Sequence, residues 1–216
     1  MWTRVLSEAL PRMRKLVPAG SRVLEVGYGN GLLTCYLCRE LGWRVTGLDI
    51  NSNAQCTAMS NSVAYGLSDR VDFCCCEPTE TRAHRDAYDA VFIKTVLYGS
   101  VNLTEYGQWL DWINSVLKPG GVLINFETGR ANALTQCYRR VRRRTYTGLC
   151  LYTGDVEALY DARFDIIDRK YYGGYSQFLT PIPFLYRLAL KAEEALKPRH
   201  ANNSFIVSII AKKPDL

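Results

Sequence analysis

The sequence predicts an α/β fold, a mostly parallel sheet with helices on both faces. Three observations carry that expectation. Short apolar runs alternate with stretches of helical spacing from residue 4 to residue 127, the pattern of successive βαβ units with right-handed crossovers. The first apolar run, Val23-Leu24-Glu25-Val26, passes straight into Gly27-Tyr28-Gly29-Asn30-Gly31 and then into a helix start. Glycines there let backbone approach a ligand with no Cβ in the way, and the helix aims its free amides into the same space. Asp49 closes the second apolar run, twenty residues after Gly29, where a carboxylate meets the hydroxyls of an adenosine ribose.

Each element follows from its residues. Residues 4–16 carry Val5, Leu6, Leu10, Met13 and Leu16 near helical spacing, and Pro18-Ala19-Gly20 ends that helix. The first strand spans about 22–26 and the next helix about 31–41, with Gly42 as its stop. Residues 44–50 form the second strand, and Asn51-Ser52-Asn53 offers caps to a helix running to about Tyr65. The third strand, about 70–75, is rich in Val, Phe and Cys, and a polar stretch leads from it to the fourth, 89–93. Residues 104–117 are helical, with Trp109, Trp112, Ile113, Val116 and Leu117 on one apolar face. Lys118-Pro119-Gly120-Gly121 reads as a turn before the fifth strand, 122–127.

Beyond residue 127 the alternation loosens. Residues 131–143 read as an extra helix, 155–162 as another capped by Thr153 or Asp155, 164–168 as the sixth strand and 205–211 as the seventh. The last two strands lack a crossover helix of the basic pattern, which allows the seventh to run antiparallel. With no internal repeat and no linker, the chain reads as one domain, 1–216, with insertions at about 128–152 and 173–203.

Composition bounds the rest. At 48% hydrophobic and 22% charged, 216 residues make a globular chain large enough for a full core. No apolar run reaches the length of a membrane span. Met1-Trp2-Thr3-Arg4-Val5-Leu6-Ser7-Glu8 carries charge where a signal peptide needs its apolar centre, so a cytoplasmic protein is expected. The eight cysteines then read as reduced thiols. Cys35 and Cys38 form one C-x-x-C, no second exists, and His84 and His200 are the only histidines, so no metal is expected. Cys74-Cys75-Cys76 reads as strand filling. The net charge of +6 is concentrated in Arg139, Arg140, Arg142, Arg143 and Arg144. That run reads as a solvated helix face, as a site for an anionic or lipid-linked partner or a membrane surface, or as a nucleic-acid contact.

The glycines follow G-x-G-x-G. A dinucleotide fingerprint asks for G-x-G-x-x-G/A, and Leu32 holds that last place here. Val23-Leu24-Glu25-Val26-Gly27-Tyr28-Gly29-Asn30-Gly31, then Gly47-Leu48-Asp49-Ile50-Asn51, Tyr88-Asp89-Ala90-Val91-Phe92 and Leu117-Lys118-Pro119-Gly120-Gly121-Val122-Leu123 together resemble the class I S-adenosylmethionine-dependent methyltransferase superfamily. The likeness spans about residues 20–127 and is continued by the last two strands. It implies a Rossmann-like seven-stranded sheet with strand 7 antiparallel between strands 5 and 6, S-adenosyl-L-methionine as cofactor, and methyl transfer. It assigns Glu25, Gly27, Gly29, Asn30 and Gly31 to the methionine part and the loop, Asp49 to the ribose and Ile50 to the adenine. Where the family often has Gly-Asp-Ala after strand 3, this chain has Cys75-Cys76-Glu77, so contact with the adenine amino group falls to Cys76 or Glu77. Lys94 and Thr95 follow strand 4, where family members line the cofactor with backbone. Glu25 reads alternatively as a buried acid capping the loop, and Asp49 as a cap for the next helix.

In open α/β sheets ligands lie beyond the carboxyl ends of the strands. Both insertions leave from that rim and are expected to form the lid on the methyl-acceptor side. Arg130, Tyr171, Tyr172, Tyr175 and Phe178 are the acceptor-binding candidates, with Phe184 nearby; the aromatics read equally as a small core of the insertion. A general base is needed only for an acceptor that holds its proton. His200, just before strand 7, is the first candidate, with Tyr98 and Glu127 just past strands 4 and 5. His84 lies at the opposite end and reads as a surface residue. The expected reaction is in-line methyl transfer to oxygen or nitrogen of a small or lipid- or sugar-linked molecule. The alternatives are an RNA or protein methyltransferase docking through the arginine run, and a non-catalytic S-adenosylmethionine-binding module.

Overall fold

Alternate residues of the central strands are buried on opposite sides, and this sets the layers. Val23 of β1 (Arg22–Val26) packs with Val5, Ala9 and Met13 of α1 (Trp2–Leu16) and with Cys35 and Cys38 of α2 (Leu32–Leu41). Leu24 packs on the other side, with Tyr106, Leu110 and Ile113 of α4 (Leu103–Val116) and Val156 and Tyr160 of α5 (Gly154–Asp161). Between them lie β2 (Arg44–Asp49), α3 (Ser52–Ala64), β3 (Val71–Cys75), β4 (Tyr88–Lys94), β5 (Leu117–Thr128), β6 (Asp165–Tyr172) and β7 (Ile206–Lys212). This computed structural model describes residues 2–77, 85–130, 151–173 and 200–215, together with residues 136, 137, 184, 187, 188 and 191.

The seven strands form one sheet in the order β3-β2-β1-β4-β5-β7-β6. Pairings from β3 through β5 are parallel, and β7 runs antiparallel to β5 and to β6. The strand order reverses beside β1, so β1 and β4 splay their connections to opposite faces and leave a crevice at their carboxyl ends. Helix ends are built as the sequence suggests. Gly42 takes φ +72° and returns its amide to Cys38 O. Asn102 Oδ1 accepts from the Glu105 amide at 2.8 Å while Glu105 Oε2 accepts from the Val101 amide at 2.8 Å, a reciprocal cap. Cys35 and Cys38 are buried packing residues, and Cys38 Sγ donates to Trp43 O.

Two expectations change. Lys118-Pro119-Gly120-Gly121 is the bulged start of β5 rather than a turn: Leu117 already pairs with Tyr88, and the register shifts before Ala90 meets Val122. Lys118 Nζ reaches Asp89 Oδ1, and the Arg22 amide donates to Asp89 Oδ2, so this segment is tied to β4 and β1. Strand β6 continues to Tyr172 because its ladder with β7 continues to the Tyr172–Ile206 pair. Tyr171 and Tyr172 are therefore sheet residues and not part of an insertion. Helix α3 runs over the expected span, has little amphipathic character and leaves Met59 and Val63 exposed.

The roots of both insertions meet at one place. Gly129 donates to Phe205 O at 3.0 Å, Tyr152 to Thr128 O at 3.0 Å, and Phe205 to Tyr172 O at 2.7 Å. The first insertion leaves and returns there, and the second returns beside it. Residues 136, 137, 184, 187, 188 and 191 are helical. The rest of the expected 131–143 helix, the five arginines from Arg139 to Arg144, His84, Tyr175 and Phe178 lie outside the described residues.

Candidate active site

The glycine loop is shaped by what surrounds it. Gly27 has φ +79° and donates to Leu48 O at 2.7 Å; a Cβ there would lie 2.4 Å from Val96 Cγ2. Gly31, with φ +72°, would drive a Cβ into Ala58 and Phe73. Only glycine meets both the dihedral and the spacing at these positions. Asp49 closes the loop from the neighbouring strand: Oδ2 accepts the Gly29 amide at 2.8 Å and Oδ1 the Asn51 amide at 3.0 Å. The cap of α3 itself is Asn51, whose Oδ1 accepts from Asn53. Asn30 is held by its backbone, its carbonyl accepting from Asn61 Nδ2 at 2.8 Å.

Glu25 sits beneath the loop with 3% of its surface exposed. Burial raises its pKa to about 7, against the pull of the Thr34 hydroxyl and the Lys94 ammonium. Burial likewise lowers the pKa of Lys94, opposed by Glu25. Lys94 Nζ stands 4.4 Å above the ring centroid of Trp2, so α1 contributes a cation–π contact to this end of the site. Thr95 follows at φ +53° and ties its amide to Phe126 O at 2.8 Å. A carboxyl whose folded pKa exceeds its unfolded value near 4.5 stabilises the fold fully below that value and loses the contribution as pH rises through the folded pKa. The ligand-free protein should therefore lose stability between pH 4.5 and 7, at up to about 1.4 kcal/mol per pH unit from Glu25. Thermal melts across that range should show a shallower fall for Glu25→Gln; an unchanged slope would remove Glu25 as the source.

A cleft of about 710 Å³ opens at the carboxyl ends of β1, β2 and β4, within the usual size for small-molecule sites. Of the cofactor candidates, Glu25, Gly27, Gly29 and Asn30 line its floor, Asp49, Ile50 and Glu77 one side, and Lys94 and Thr95 the other. Gly31 and Cys76 do not line it. Gly31 is consumed by packing against α3, and Cys76 packs toward the apolar cluster while its amide donates to Asp49 O. Among the described residues, no group of three or more His, Cys, Asp and Glu is placed to hold a metal.

The remaining candidates divide. Tyr98 lines the cleft. Glu127 is wholly buried behind it, with Oε1 accepting the Thr128 amide at 2.9 Å; burial raises its pKa to about 8. His200 is exposed and lines no part of the cleft; its carbonyl accepts from Ser204 Oγ. Arg130 is exposed at the root of the first insertion. Tyr171 Oη donates to Glu157, and Tyr172 Oη to Glu8 at 3.3 Å, so strand pairing turns both hydroxyls into the fold and away from the cleft. Sequence reasoning missed the opposite wall, where Ser100, Glu105 and Trp109 face the cleft. The signal was present: the Asn102–Glu105 cap fixes the start of α4, and Trp109 lies one turn beyond Glu105.

These residues suit a nucleoside carrying an amino-acid tail. A bare-backbone cradle at Gly29, where a Cβ would meet open space, adjoins a carboxylate at Asp49. The buried hydroxyls of Tyr28 and Ser100, both on the cleft wall, have no hydrogen-bond partner among the described residues. Residues 23–121 match a family model described as a methyltransferase domain. Methyltransferase GfsG of Streptomyces halstedii is 30% identical over 124 residues, 55% of this chain and 44% of that protein. The chain spans less than half the length of the curated relatives it matches. In structure it is similar to a SAM-dependent methyltransferase from Methanosarcina mazei, with a TM-score of 0.69 at 20% identity over 94% of this chain and 97% of that one. It is also similar to phosphoethanolamine N-methyltransferase 2 of Haemonchus contortus, solved with S-adenosyl-L-methionine, with a TM-score of 0.65 at 18% identity over 96% and 52% of the two chains.

Proposed function

We propose that this chain is an active S-adenosylmethionine-dependent methyltransferase that methylates oxygen or nitrogen of a small molecule, a reading supported by the methyltransferase-domain match over residues 23–121 and by the methyltransferase relatives. The observation that carries this reading is the convergence of Glu25, Gly27, Gly29, Asp49, Lys94 and Thr95 on one cleft from three separate strands. When bound, S-adenosylmethionine supplies the electrophilic sulfonium methyl group. The chain's own residues bind and orient. Asp49 takes the ribose hydroxyls while keeping the Gly29 amide in place. Glu25, once ionised, and Lys94 carry opposite charges with no direct ion pair between them, and so match the ammonium and carboxylate of the methionine tail. Ile50 and Glu77 face the adenine. Val96 and Trp109 exclude water, which strengthens each of these contacts.

The methyl acceptor enters past Tyr98, from the rim where the roots of the two insertions meet at Gly129 and Phe205. Of the three base candidates His200, Tyr98 and Glu127, Tyr98 lines the cleft. The Haemonchus contortus relative acts on a small amine by its name, which supports a small acceptor here. Calorimetry with S-adenosylhomocysteine tests the donor half: one-to-one binding is expected, and no heat of binding would overturn it. Incubation with radiolabelled donor tests the other half. Label should enter a small-molecule extract, and label confined to RNA or protein would reject a small acceptor.

A further inference from the structure

Behind the cleft wall stands an ionisable group that does not line the cleft. Glu127 near the end of β5 is 0% exposed and lines no part of the cleft. In front of it runs the 3-10 turn Leu97–Gly99, and Tyr98, Gly99 and Ser100 form part of the wall. One residue before Glu127, the carbonyl of Phe126 takes the Thr95 amide, so the start of this segment is already fastened to β5. Thr95 holds a left-handed conformation that threonine adopts rarely and that persists only where neighbours enforce it. The amides of Leu97 and Tyr98 face the Glu127 carboxyl. Its Oε2 nevertheless completes no hydrogen bond of normal geometry among the described residues. The side chains around it are Asn125 of β5, Tyr106 of α4 and Tyr160 of α5. Tyr106 and Tyr160 are bonded to each other at 3.0 Å, and Asn125 Nδ2 donates to Tyr160.

We infer that Glu127 is a positioning residue: it anchors the Leu97–Ser100 segment from behind and thereby sets where Tyr98 and Ser100 stand in the cleft. The functional consequence rests on the donor reading of that cleft. A buried carboxyl is costly unless it receives hydrogen bonds, and the amides of a tight turn are costly unless they find an acceptor. Here the carboxyl lies against the two amides, and its charge attracts them. A leucine would fill the volume and remove the charge that attracts the two amides. Because the anchor is ionisable, its grip on the two amides strengthens as it loses its proton.

Nitrogen-15 amide shifts of Leu97 and Tyr98 test the anchor directly. In the native protein both should titrate together between about pH 6 and about pH 9, and in Glu127→Gln neither should, although the fold is kept. S-adenosylhomocysteine affinity should fall about 10-fold in Glu127→Leu, and less in Glu127→Gln, which retains an acceptor oxygen. Flat Leu97 and Tyr98 shifts in the native protein would overturn the inference, as would native affinity in Glu127→Leu. Should Glu127→Leu fail to fold, the native titration and Glu127→Gln decide. Should the native protein bind no S-adenosylhomocysteine, the donor reading fails while the titration still reports whether the anchor exists.

Discussion

Asp49→Ala should weaken S-adenosylhomocysteine binding about 100-fold while leaving the melting temperature nearly unchanged. The substitution removes the carboxylate proposed to hold the ribose and also the 2.8 Å bond that fixes the Gly29 amide. A hydrogen bond to a charged group contributes about 1.5–3 kcal/mol. The contributions are coupled through one side chain, so about 3 kcal/mol is expected rather than their sum. The fold loses less, because Asp49 is only partly buried and α3 keeps its own cap at Asn51. Asp49→Asn retains an acceptor for Gly29 without the charge and should fall between. Calorimetry paired with thermal melts separates the effects. A change in affinity below about threefold would mean that the ribose lies elsewhere.

The largest effect on stability is expected at Gly129. A Cβ there would lie 2.1 Å from the carbonyl oxygen of Ser204. Neither partner can retreat cheaply. Gly129 is bonded through its amide to Phe205 O, and Ser204 is fastened through its amide to Ala201 O and through its hydroxyl to His200 O. Gly129→Ala should cost at least about 3 kcal/mol, which lowers the melting temperature by roughly 6–12 °C in a domain of this size. Gly154→Ala is the control: its Cβ meets open space at the start of α5, and the change should be neutral or stabilising by up to about 1 kcal/mol. Equal melting temperatures for the two variants would show that the crossing of the insertion roots is not tightly packed.

Gly129 also shows where sequence reading stops. In the sequence it is one glycine before Arg130 in a segment of loosened alternation, and nothing local marks it. Its constraint comes from Ser204, seventy-five positions away in the chain. The donor loop is the contrary case. Gly27, Gly29, Gly31 and Asp49 are legible because strand, turn and helix follow one another directly, and parallel pairing of β1 with β2 brings Asp49 beside the loop. Cys76 and Glu77 illustrate the middle ground. Either suits the position after β3, and the structure separates them by turning Cys76 to the apolar cluster and Glu77 to the cleft.

The sequence by itself determined the α/β architecture, allowed an antiparallel last strand and marked the residues proposed for the donor end of the site. Those depend on periodicity and on motifs a few residues long, which act within one βα unit. Only the tertiary structure decided the rest. Antiparallel pairing with β7 extended β6 to Tyr172 and drew Tyr171 and Tyr172 into the fold. The α4 cap brought Ser100, Glu105 and Trp109 to the cleft, and burial beneath the Leu97–Gly99 turn moved Glu127 behind its wall. In each case the deciding contact joins residues far apart in the chain, and strand register and side-chain direction, which hydrophobic pattern alone leaves open, select it.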